Sequence, residues 1–242
     1  MRKLLHGFVA GAALGAMVLT LAGGAALAAD TGSWVVTRTA SPIVIDGDAW
    51  DWLPAAQATV LLSPAFSLVN AGAIGSDKES SGQIYLKYDD EAVYVLGIIK
   101  DDNVVGDQVG SGIWQNTAIE LWFNLGDQSL PANPADYANY QEEDYQINLT
   151  PMVGGEQKGY YYVYPGTKAA FNDNDSIAVA AKLVPGGYVI EAKIPKATFP
   201  GFSGIKAGGQ FGFAVSLVHI SSIAGWSHMW TPGVEYAVVT VQ

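Results

Sequence analysis

Apolar and polar residues alternate over short stretches along most of the chain, and a period of two residues is typical of β-strands. These stretches are rich in Val, Ile, Tyr and Phe and are separated by clusters of Gly, Pro, Asn and Asp, which favour turns. The pattern predicts about eleven strands and no long amphipathic helix. The predicted strands are Trp34–Arg38, Thr59–Ser63, Gln83–Tyr88, Val93–Lys100, Ala118–Asn124, Tyr145–Leu149, Gly159–Tyr164, Ile177–Leu183, Tyr188–Ile194, Phe211–His219 and Tyr236–Val241.

Two short connections indicate how these strands pair. Asp89–Glu91 joins the third strand to the fourth, and Pro185–Gly187 precedes the strand that begins at Tyr188. Connections this short join antiparallel neighbours. We therefore predict an all-β chain folded as an antiparallel β-sandwich of jelly-roll or immunoglobulin-like form. The longest irregular stretches, 64–81 and 126–142, are where binding residues are expected on such a scaffold.

The first 28 residues have the pattern of a secretory signal peptide. Arg2 and Lys3 precede an apolar segment over residues 8–21, and an Ala-Leu-Ala cleavage site follows at 26–28. We therefore expect residues 29–242 to form a single exported domain, either extracellular or periplasmic. No later segment has the ~18 to 20 consecutive apolar residues of a transmembrane helix, so no membrane span is expected in the mature chain.

Charge and cysteine content exclude several classes of function. The chain has 12 Lys and Arg against 23 Asp and Glu, which gives a formal net charge of −11. A surface this acidic cannot neutralise phosphate backbones, so nucleic acid is excluded as a partner. The absence of cysteine excludes disulfides, thiolate metal sites, iron–sulfur clusters and cysteine nucleophiles.

Tryptophan is abundant, with seven residues in a chain that is only 14% charged. Trp114 follows a Gly-Ser-Gly sequence in a predicted loop, and Trp226 and Trp230 flank a polar Ser-His pair. Exposed indole rings stack on the apolar faces of sugars, while carboxylates and amides bind the hydroxyl groups. Neighbouring predicted strands carry such polar side chains, namely Glu120, Gln146 and Asn148. Together these residues form a candidate carbohydrate site.

Two other tryptophans have a structural interpretation. Trp122 lies within a predicted strand beside Ile119, Leu121 and Phe123, which indicates packing in the core or on a sheet face. Trp50 is expected to close one end of the sandwich. Neither residue is therefore assigned to the candidate carbohydrate site.

The order of several short motifs resembles that of family 9 carbohydrate-binding modules and their DOMON-like relatives. Each motif is short, but the series extends over nearly the whole mature chain in one order. The motifs are Ile43–Trp50, Tyr85–Val95, Lys100–Asp102, Trp114 followed by Ala118–Phe123, Gly187–Pro195 and Gly209–Phe213.

This resemblance implies a β-sandwich that holds the reducing end of a sugar between two tryptophan rings and carries structural calcium. Trp114 matches one wall and Glu120 a hydroxyl-binding carboxylate, while Trp230, or alternatively Trp226, would be the other wall. Two positions depart from the family pattern. Gln146 stands where sugar-binding members carry an arginine, and Thr117 stands where they carry an aspartate, so a bidentate cation for hydroxyl recognition is missing.

Acidic residues in predicted turns form a second kind of candidate site, for a metal ion. Asp89–Glu91, Asp101–Asn103 and Asp173–Asp175 each offer oxygen ligands of the kind that bind Ca²⁺ outside the cell. We expect Asp101 and Asp102, which precede the loop leading to Trp114, to be the pair that holds a structural Ca²⁺. Turn-forming Asp and Asn also occur without metal, which leaves solvated turns as the alternative.

Catalytic signatures are weak. Glu120 and Glu191 are strand carboxylates, but nothing in the sequence pairs them across a sugar cleft as a glycosidase requires. No G-x-S-x-G motif occurs, and His219 lies in an apolar run where a buried strand residue is expected. The interpretation is therefore a non-catalytic carbohydrate-binding protein. The sequence does not identify a partner enzyme.

Two alternatives remain open from the sequence. Some DOMON-like relatives bind haem through Met together with His or Lys. Because this chain has His228 and Met229 side by side, a haem-binding electron-transfer domain is one alternative. Only Met152 and Met229 remain after signal removal, which argues against haem. The other alternative is an envelope structural protein that keeps the fold and has lost the ligand, as the departure at Gln146 suggests.

Overall fold

The computed structural model describes residues 33–52, 58–70, 74–126, 140–164, 176–221, 225–230 and 237–242. The predicted signal peptide and most of the predicted loop 126–142 lie outside the described residues, as does the acidic turn at 173–175. Within the described ranges, no helix combines the length and the apolar character needed to cross a bilayer.

The described residues are organised almost entirely as strands, joined by turns and a few 3-10 turns. Thirteen strands are present in these ranges. They are β1 (Ser33–Arg38), β2 (Val60–Leu62), β3 (Leu68–Asn70), β4 (Ser80–Tyr88), β5 (Ala92–Asp101), β6 (Ala118–Asn124), β7 (Asp144–Val153), β8 (Glu156–Tyr164), β9 (Ala178–Val184), β10 (Gly187–Pro195), β11 (Gln210–Ser221), β12 (Gly225–Trp230) and β13 (Ala237–Val241).

Two layers of antiparallel strands enclose the core. The front sheet has the order β8-β7-β6-β11-β13, with β12 paired to β11 and β3 to β12. The back sheet has the order β4-β5-β10-β9, with β2 paired to β4. β1 connects the layers, because residues 33–36 pair with β13 and residues 37–38 pair with β4. The predicted β-sandwich is confirmed.

Local predictions hold for the hairpins and fail at three strands. Both predicted hairpins are present, β4–β5 around Asp89–Glu91 and β9–β10 around Pro185–Gly187. Pairing is not antiparallel throughout, since β1 runs parallel to both of its neighbours. The strands β3 and β12 were not predicted, because one has three residues and the other contains a polar Ser-His pair. β3 is held by β12, which is distant in sequence, and β12 forms a hairpin with the preceding strand β11.

The two-residue period sorts the side chains of each central strand between the core and the outside. In β6, Ile119, Leu121 and Phe123 are buried in the main core, so Glu120 and Trp122 face outward. The two sheets approach closely at Gly97, where a Cβ atom would lie 2.3 Å from the Cδ1 atom of Ile119. A side chain at position 97 would require Ile119 to move.

The outer face of the back sheet is covered by the segment that follows β1. Ile43 and Trp52 pack there against Tyr85, Tyr94 and Leu96. Trp52 is 1% exposed, whereas Trp50 is 68% exposed. The prediction that Trp50 closes the sandwich is therefore wrong. The turn between the two tryptophans directs the second ring, rather than the first, onto the sheet.

Glu191 in β10 holds this covering segment in place. Its Oε2 atom accepts hydrogen bonds from the backbone N–H groups of Asp46 (3.1 Å) and Gly47 (2.7 Å), and its Oε1 atom accepts one from Trp52 Nε1 (2.8 Å). Gly47 adopts a φ of 81°, a conformation that suits glycine. Burial raises the pKa of Glu191, although these hydrogen bonds act to lower it. The motif Ile43–Trp50 thus positions a structural clamp.

Replacing Glu191 with Ala should destabilise the fold by about 2 to 4 kcal/mol, because two backbone N–H groups and one indole N–H lose their acceptor. The measurement is urea-induced unfolding followed by tryptophan fluorescence. Glu91→Ala is the matched control, since Glu91 is exposed and only 3.4 Å from Lys193 Nζ; a surface pair of this kind contributes less than about 1 kcal/mol. Equal losses in the two variants would contradict the clamp.

Candidate functional site on the outer face of the front sheet

A row of polar side chains crosses the outer face of the front sheet. Glu120 in β6 lies directly opposite Asn148 in β7 on one side and Ser216 in β11 on the other. Residues at such cross-strand positions on one face have neighbouring side chains. The row exists because each of these strands places apolar residues inward and polar residues outward at the same register.

The row is a connected hydrogen-bond network. Asn148 Nδ2 donates to Glu120 Oε1 (2.8 Å), and Ser216 Oγ donates to Glu120 Oε2 (3.0 Å). Gln146 Nε2 donates to Asn148 Oδ1 (3.2 Å), which extends the network along β7. All four side chains are buried. The predicted residues Glu120, Gln146 and Asn148 are thus brought together, and Ser216 is added to them.

The electrostatic state of this row is set by burial. Desolvation raises the pKa of Glu120 to about 7, although its hydrogen bonds with Asn148 and Ser216 act in the opposite direction. His228 in β12 places its Nε2 atom 3.2 Å from Glu120 Oε2. Desolvation lowers the pKa of His228 to about 3. Burial therefore favours the neutral forms of both side chains.

Two polar atoms beside the row have no protein partner within the described part of the chain. They are Trp122 Nε1, a donor, and Gln146 Oε1, an acceptor. Trp122 and Gln146 lie opposite each other across β6 and β7. Buried groups of this kind are costly unless a ligand or water completes them. A hydroxyl group, which both donates and accepts, has the chemistry to satisfy the two atoms together.

Aromatic rings close one end of the face. Trp122 and Trp230 stack with their ring centroids 4.6 Å apart, and Tyr140 and Ala214 complete a small buried cluster. Trp122 therefore packs on the outer sheet face, separate from the main core. Trp230 is 3% exposed. This differs from the expected open wall of a sugar site, because stacking on Trp122 removes the ring from water.

The turn that carries Trp114 lies beside β8, at the other side of the same face. It is the 3-10 turn Gly110–Gln115, and the hydroxyl of Tyr164 in β8 donates to the Ser111 carbonyl in that turn (2.7 Å). Tyr164 faces outward and is opposite Gln146. Trp114 is 44% exposed, which leaves part of its ring available for contact. The predicted loop tryptophan and the predicted carboxylate Glu120 therefore share one face.

Sequence reasoning missed part of this surface. Ser216 and His228 were not predicted as site residues, because they became neighbours of Glu120 only through pairing of β11 with β6 and β12. The tyrosines Tyr162 and Tyr164, whose rings are 4.8 Å apart, extend the face along β8. Their alternation in the sequence Tyr160–Tyr164 was the available signal. The side chain of Trp226 lies outside what the structure describes.

The predicted calcium pair does not have the surroundings that Ca²⁺ requires. Asp101 Oδ2 is 3.1 Å from His219 Nδ1, and Asp101 Oδ1 accepts the backbone N–H of Asn103 (2.8 Å). A ring nitrogen is not a calcium ligand, and Ca²⁺ takes six to eight oxygen atoms. Asp101 and Asp102 therefore fit a calcium site poorly. His219 is the buried strand residue that the sequence predicted.

The haem alternative meets a geometric obstacle. Met229 is buried in the main core, whereas His228 contacts Glu120 on the outer face. Adjacent residues of a strand point to opposite faces of the sheet. His228 and Met229 consequently cannot both ligate one haem iron.

Comparison with known proteins places the chain in a family. The family model described as "Carbohydrate family 9 binding domain-like" matches residues 45–224. The chain belongs to this family. Its β-sandwich is similar to a family 9 carbohydrate-binding module from Caldicellulosiruptor kristjanssonii in complex with glucose, with a TM-score of 0.59 and 18% identity over 86% of this chain and 95% of the other. The cellotriose complex of a family 9 module from the same organism gives a TM-score of 0.56 and 17% identity over 87% and 93%.

A curated relative shows the same likeness over a shorter stretch. Endo-1,4-beta-xylanase A from Thermotoga maritima is 29% identical over 125 residues, which is 51% of this chain. The matched region spans only 10% of the length of that enzyme. The family assignment therefore rests on the family model.

We expect Glu120→Gln to stabilise this family 9 domain at alkaline pH. The folded pKa of about 7 lies above the unfolded value of 4.5, so the native stability contributed by Glu120 is complete below about pH 4.5 and lost as the pH rises through 7. An uncharged Gln can accept from Asn148 Nδ2 through its oxygen and donate to Ser216 Oγ through its NH2 group. Its free energy of unfolding should exceed that of the native protein by about 2 to 3 kcal/mol at pH 8.

Urea unfolding at pH 5 and pH 8 measures this effect, with Glu91→Gln at an exposed glutamate as the matched control. The advantage of Glu120→Gln should shrink strongly at pH 5, where the native carboxyl is protonated. A variant that is equally destabilised at both pH values would show that the folded protein needs the ionised carboxylate for stability.

Proposed function

We propose that the protein is an exported, non-catalytic carbohydrate-binding protein and that it binds a glycan on the outer face of the front sheet. Membership of the family supports carbohydrate binding as the class of function. The fold is shared with modules solved in complex with glucose and with cellotriose. The signal-like segment at residues 1–28 supports export.

This proposal rests on one hydrogen-bond donor and one acceptor beside Glu120 that have no partner among the described residues. Trp122 Nε1 and Gln146 Oε1 are buried without a partner among the described residues, next to a network of one carboxylate, two amides and one hydroxyl. Sugar hydroxyls donate and accept at closely spaced positions, and this arrangement presents complementary groups at the spacing of adjacent strands. An apolar ligand would leave both atoms unsatisfied.

Aromatic side chains around the polar row supply the apolar half of sugar recognition. The Tyr162–Tyr164 pair lies along β8 and contacts the turn that carries Trp114, and the Trp122–Trp230 stack joins β6 to β12 on the same face. The half-exposed ring of Trp114 is the accessible stacking surface. Glu120 itself is only 2% exposed, so a sugar that reaches the carboxylate must displace part of what covers it.

The departure at Gln146 changes the polar chemistry without removing it. The resemblance assigns an arginine to this position in sugar-binding members, and an arginine would bring a cation to the buried Glu120. Gln146 instead donates to Asn148, and its Oε1 atom has no partner among the described residues. We therefore propose hydroxyl recognition by neutral amides, with weaker and less charge-assisted hydrogen bonds than a guanidinium would provide.

Binding without catalysis is supported by the placement of the strand carboxylates. Glu120 faces outward from the front sheet, whereas Glu191 faces outward from the back sheet and holds the Trp52 segment. The core of the sandwich lies between them. Glycoside hydrolysis needs two carboxyl groups within about 10 Å across one cleft. These two cannot serve as such a pair.

Titration of the purified protein with glucose and cellotriose, followed by isothermal calorimetry, tests the proposal. Trp114→Ala should weaken binding by about 1 to 3 kcal/mol with little change in melting temperature, because the ring is half exposed. Trp50→Ala is the matched control: Trp50 is also exposed but belongs to the segment that covers the back sheet, and its loss should leave affinity unchanged.

Glu120→Gln separates a binding role from a structural one. It should weaken sugar binding at pH 8, where the same variant is expected to be more stable than the native protein. Absence of binding to either sugar and to a wider glycan array would contradict the proposal and favour the structural envelope protein. Binding that persists unchanged in Trp114→Ala and Glu120→Gln would place the ligand elsewhere on the molecule.

A further inference from the structure

A second group of polar side chains lies inside the sandwich, at the end where β5 terminates. We call it the inner polar cluster and define it as Ser80, Asp101, Tyr188, His219 and Ser227. All five are buried. Each follows the inward period of its strand, which elsewhere places apolar residues in the core. The cluster is separate from the proposed sugar site, since Glu120 faces outward.

Strand register brings these residues together. Ser80 lies directly opposite Asp101 across β4 and β5, and Ser227 lies directly opposite His219 across β11 and β12. His219 and Asp101 join the two layers through the contact of 3.1 Å between Nδ1 and Oδ2. Asp102 extends the cluster toward solvent, with its Oδ1 atom 4.0 Å from His219 Nε2 and its side chain 39% exposed.

Three buried hydroxyl groups in the cluster have no hydrogen bond to any described residue. Ser80 Oγ, Tyr188 OH and Ser227 Oγ have no hydrogen-bond partner within the described residues, although all three side chains are 0% exposed. Buried hydroxyls normally find a partner, so these three are available to bound water or to an ion. The charge of Asp101 also reaches Tyr188, whose pKa is raised mainly by burial and further by that carboxylate.

The charges around the cluster favour a cation. Among the described residues, no Lys or Arg lies within ion-pair distance of Asp101 or Asp102. His219 is the described ion-pair partner of Asp101, and a buried carboxylate is costly unless it is paired in this way or binds a metal. One donor atom from each of Asp101, Asp102 and His219 lies within 4.8 Å of the others. The set is therefore two carboxylates and one imidazole, with hydroxyls and water as further ligands.

We propose that the inner polar cluster and Asp102 form a site for a divalent transition-metal ion of the Zn²⁺ type. Imidazole together with carboxylate suits Zn²⁺ rather than Ca²⁺, which takes oxygen ligands alone. A tetrahedral site with bonds of about 2.0 Å has ligand–ligand distances of about 3.3 Å. The separation of 3.1 Å between Asp101 Oδ2 and His219 Nδ1 matches that edge.

The half-exposed Asp102 closes the site. Its carboxylate is at the solvent end of the cluster, and its side chain is 39% exposed. The loop that carries it is anchored on both sides, since Asp102 N–H donates to the Glu79 carbonyl (3.3 Å) and Asn103 Nδ2 donates to the Ile220 carbonyl. The metal would thereby tie the end of β5 to the end of β11.

Calorimetric titration of the full chain with ZnCl₂, after removal of metals with a chelator and without a histidine tag, tests the site. We expect one Zn²⁺ per chain, an increase in melting temperature of a few degrees, and no competition from a tenfold excess of Ca²⁺. Asp102→Asn should weaken Zn²⁺ binding at least tenfold, and His219→Asn should weaken it about a hundredfold.

Asp107→Asn is the matched acidic control, because Asp107 is exposed in the same loop, and His228→Asn controls for the other described histidine. Both should bind Zn²⁺ as the native protein does. If His219→Asn fails to fold, the Asp102→Asn result decides, since that side chain is half exposed. Absence of Zn²⁺ binding would overturn the site and leave Asp101 paired with protonated His219. Binding unaffected by Asp102→Asn, or displaced by Ca²⁺, would also overturn it.

Discussion

The register between β6 and its two neighbours is the constraint on which the rest of the structure depends. Because side chains alternate along a strand, a shift of one residue would send Ile119, Leu121 and Phe123 to the outside and bury Glu120 in the core. The apolar contacts of the inward residues therefore fix the outward row as well. Glu120 meets Asn148 and Ser216 in the registers that also place the apolar residues of all three strands in the core.

The outer faces of the two sheets differ in what lies on them. The back sheet is covered by an apolar segment, and Glu191 is consumed in holding that segment through three hydrogen bonds. The front sheet instead carries a polar row beside a donor and an acceptor that have no partner in the described part of the chain. A carboxylate that satisfies three protein donors contributes to stability, whereas one held in a desolvated row reduces stability and retains capacity for a ligand.

Buried polar groups also distinguish the two ends of the molecule's interior. Most of the space between the sheets is filled by aliphatic and aromatic side chains, such as Phe123, Phe202 and Phe211. Near the end of β5 the same inward positions carry Asp101, His219 and three hydroxyls. A fold stabilised by a large apolar core can tolerate polar residues at inward-facing positions near one end. The remaining core sets the strand registers that hold these polar groups.

The sequence by itself determined the elements whose signals are local. Alternation in β6 gave the strand Ala118–Asn124, turn residues gave both hairpins, and the order of short motifs gave the family. It also gave most of the polar row, because Glu120, Gln146 and Asn148 lie in two strongly patterned strands.

Only the tertiary structure decided which distant residues meet. Asp101 and His219 are 118 positions apart, and His228 reaches Glu120 only because the polar strand β12 pairs with β11. It also selected Trp52 over Trp50 for burial and stacked Trp230 on Trp122. The physical reason is the same in each case: these contacts gain their stability from sheet pairing and packing between segments far apart in the chain, and alternation within a single segment carries no information about them.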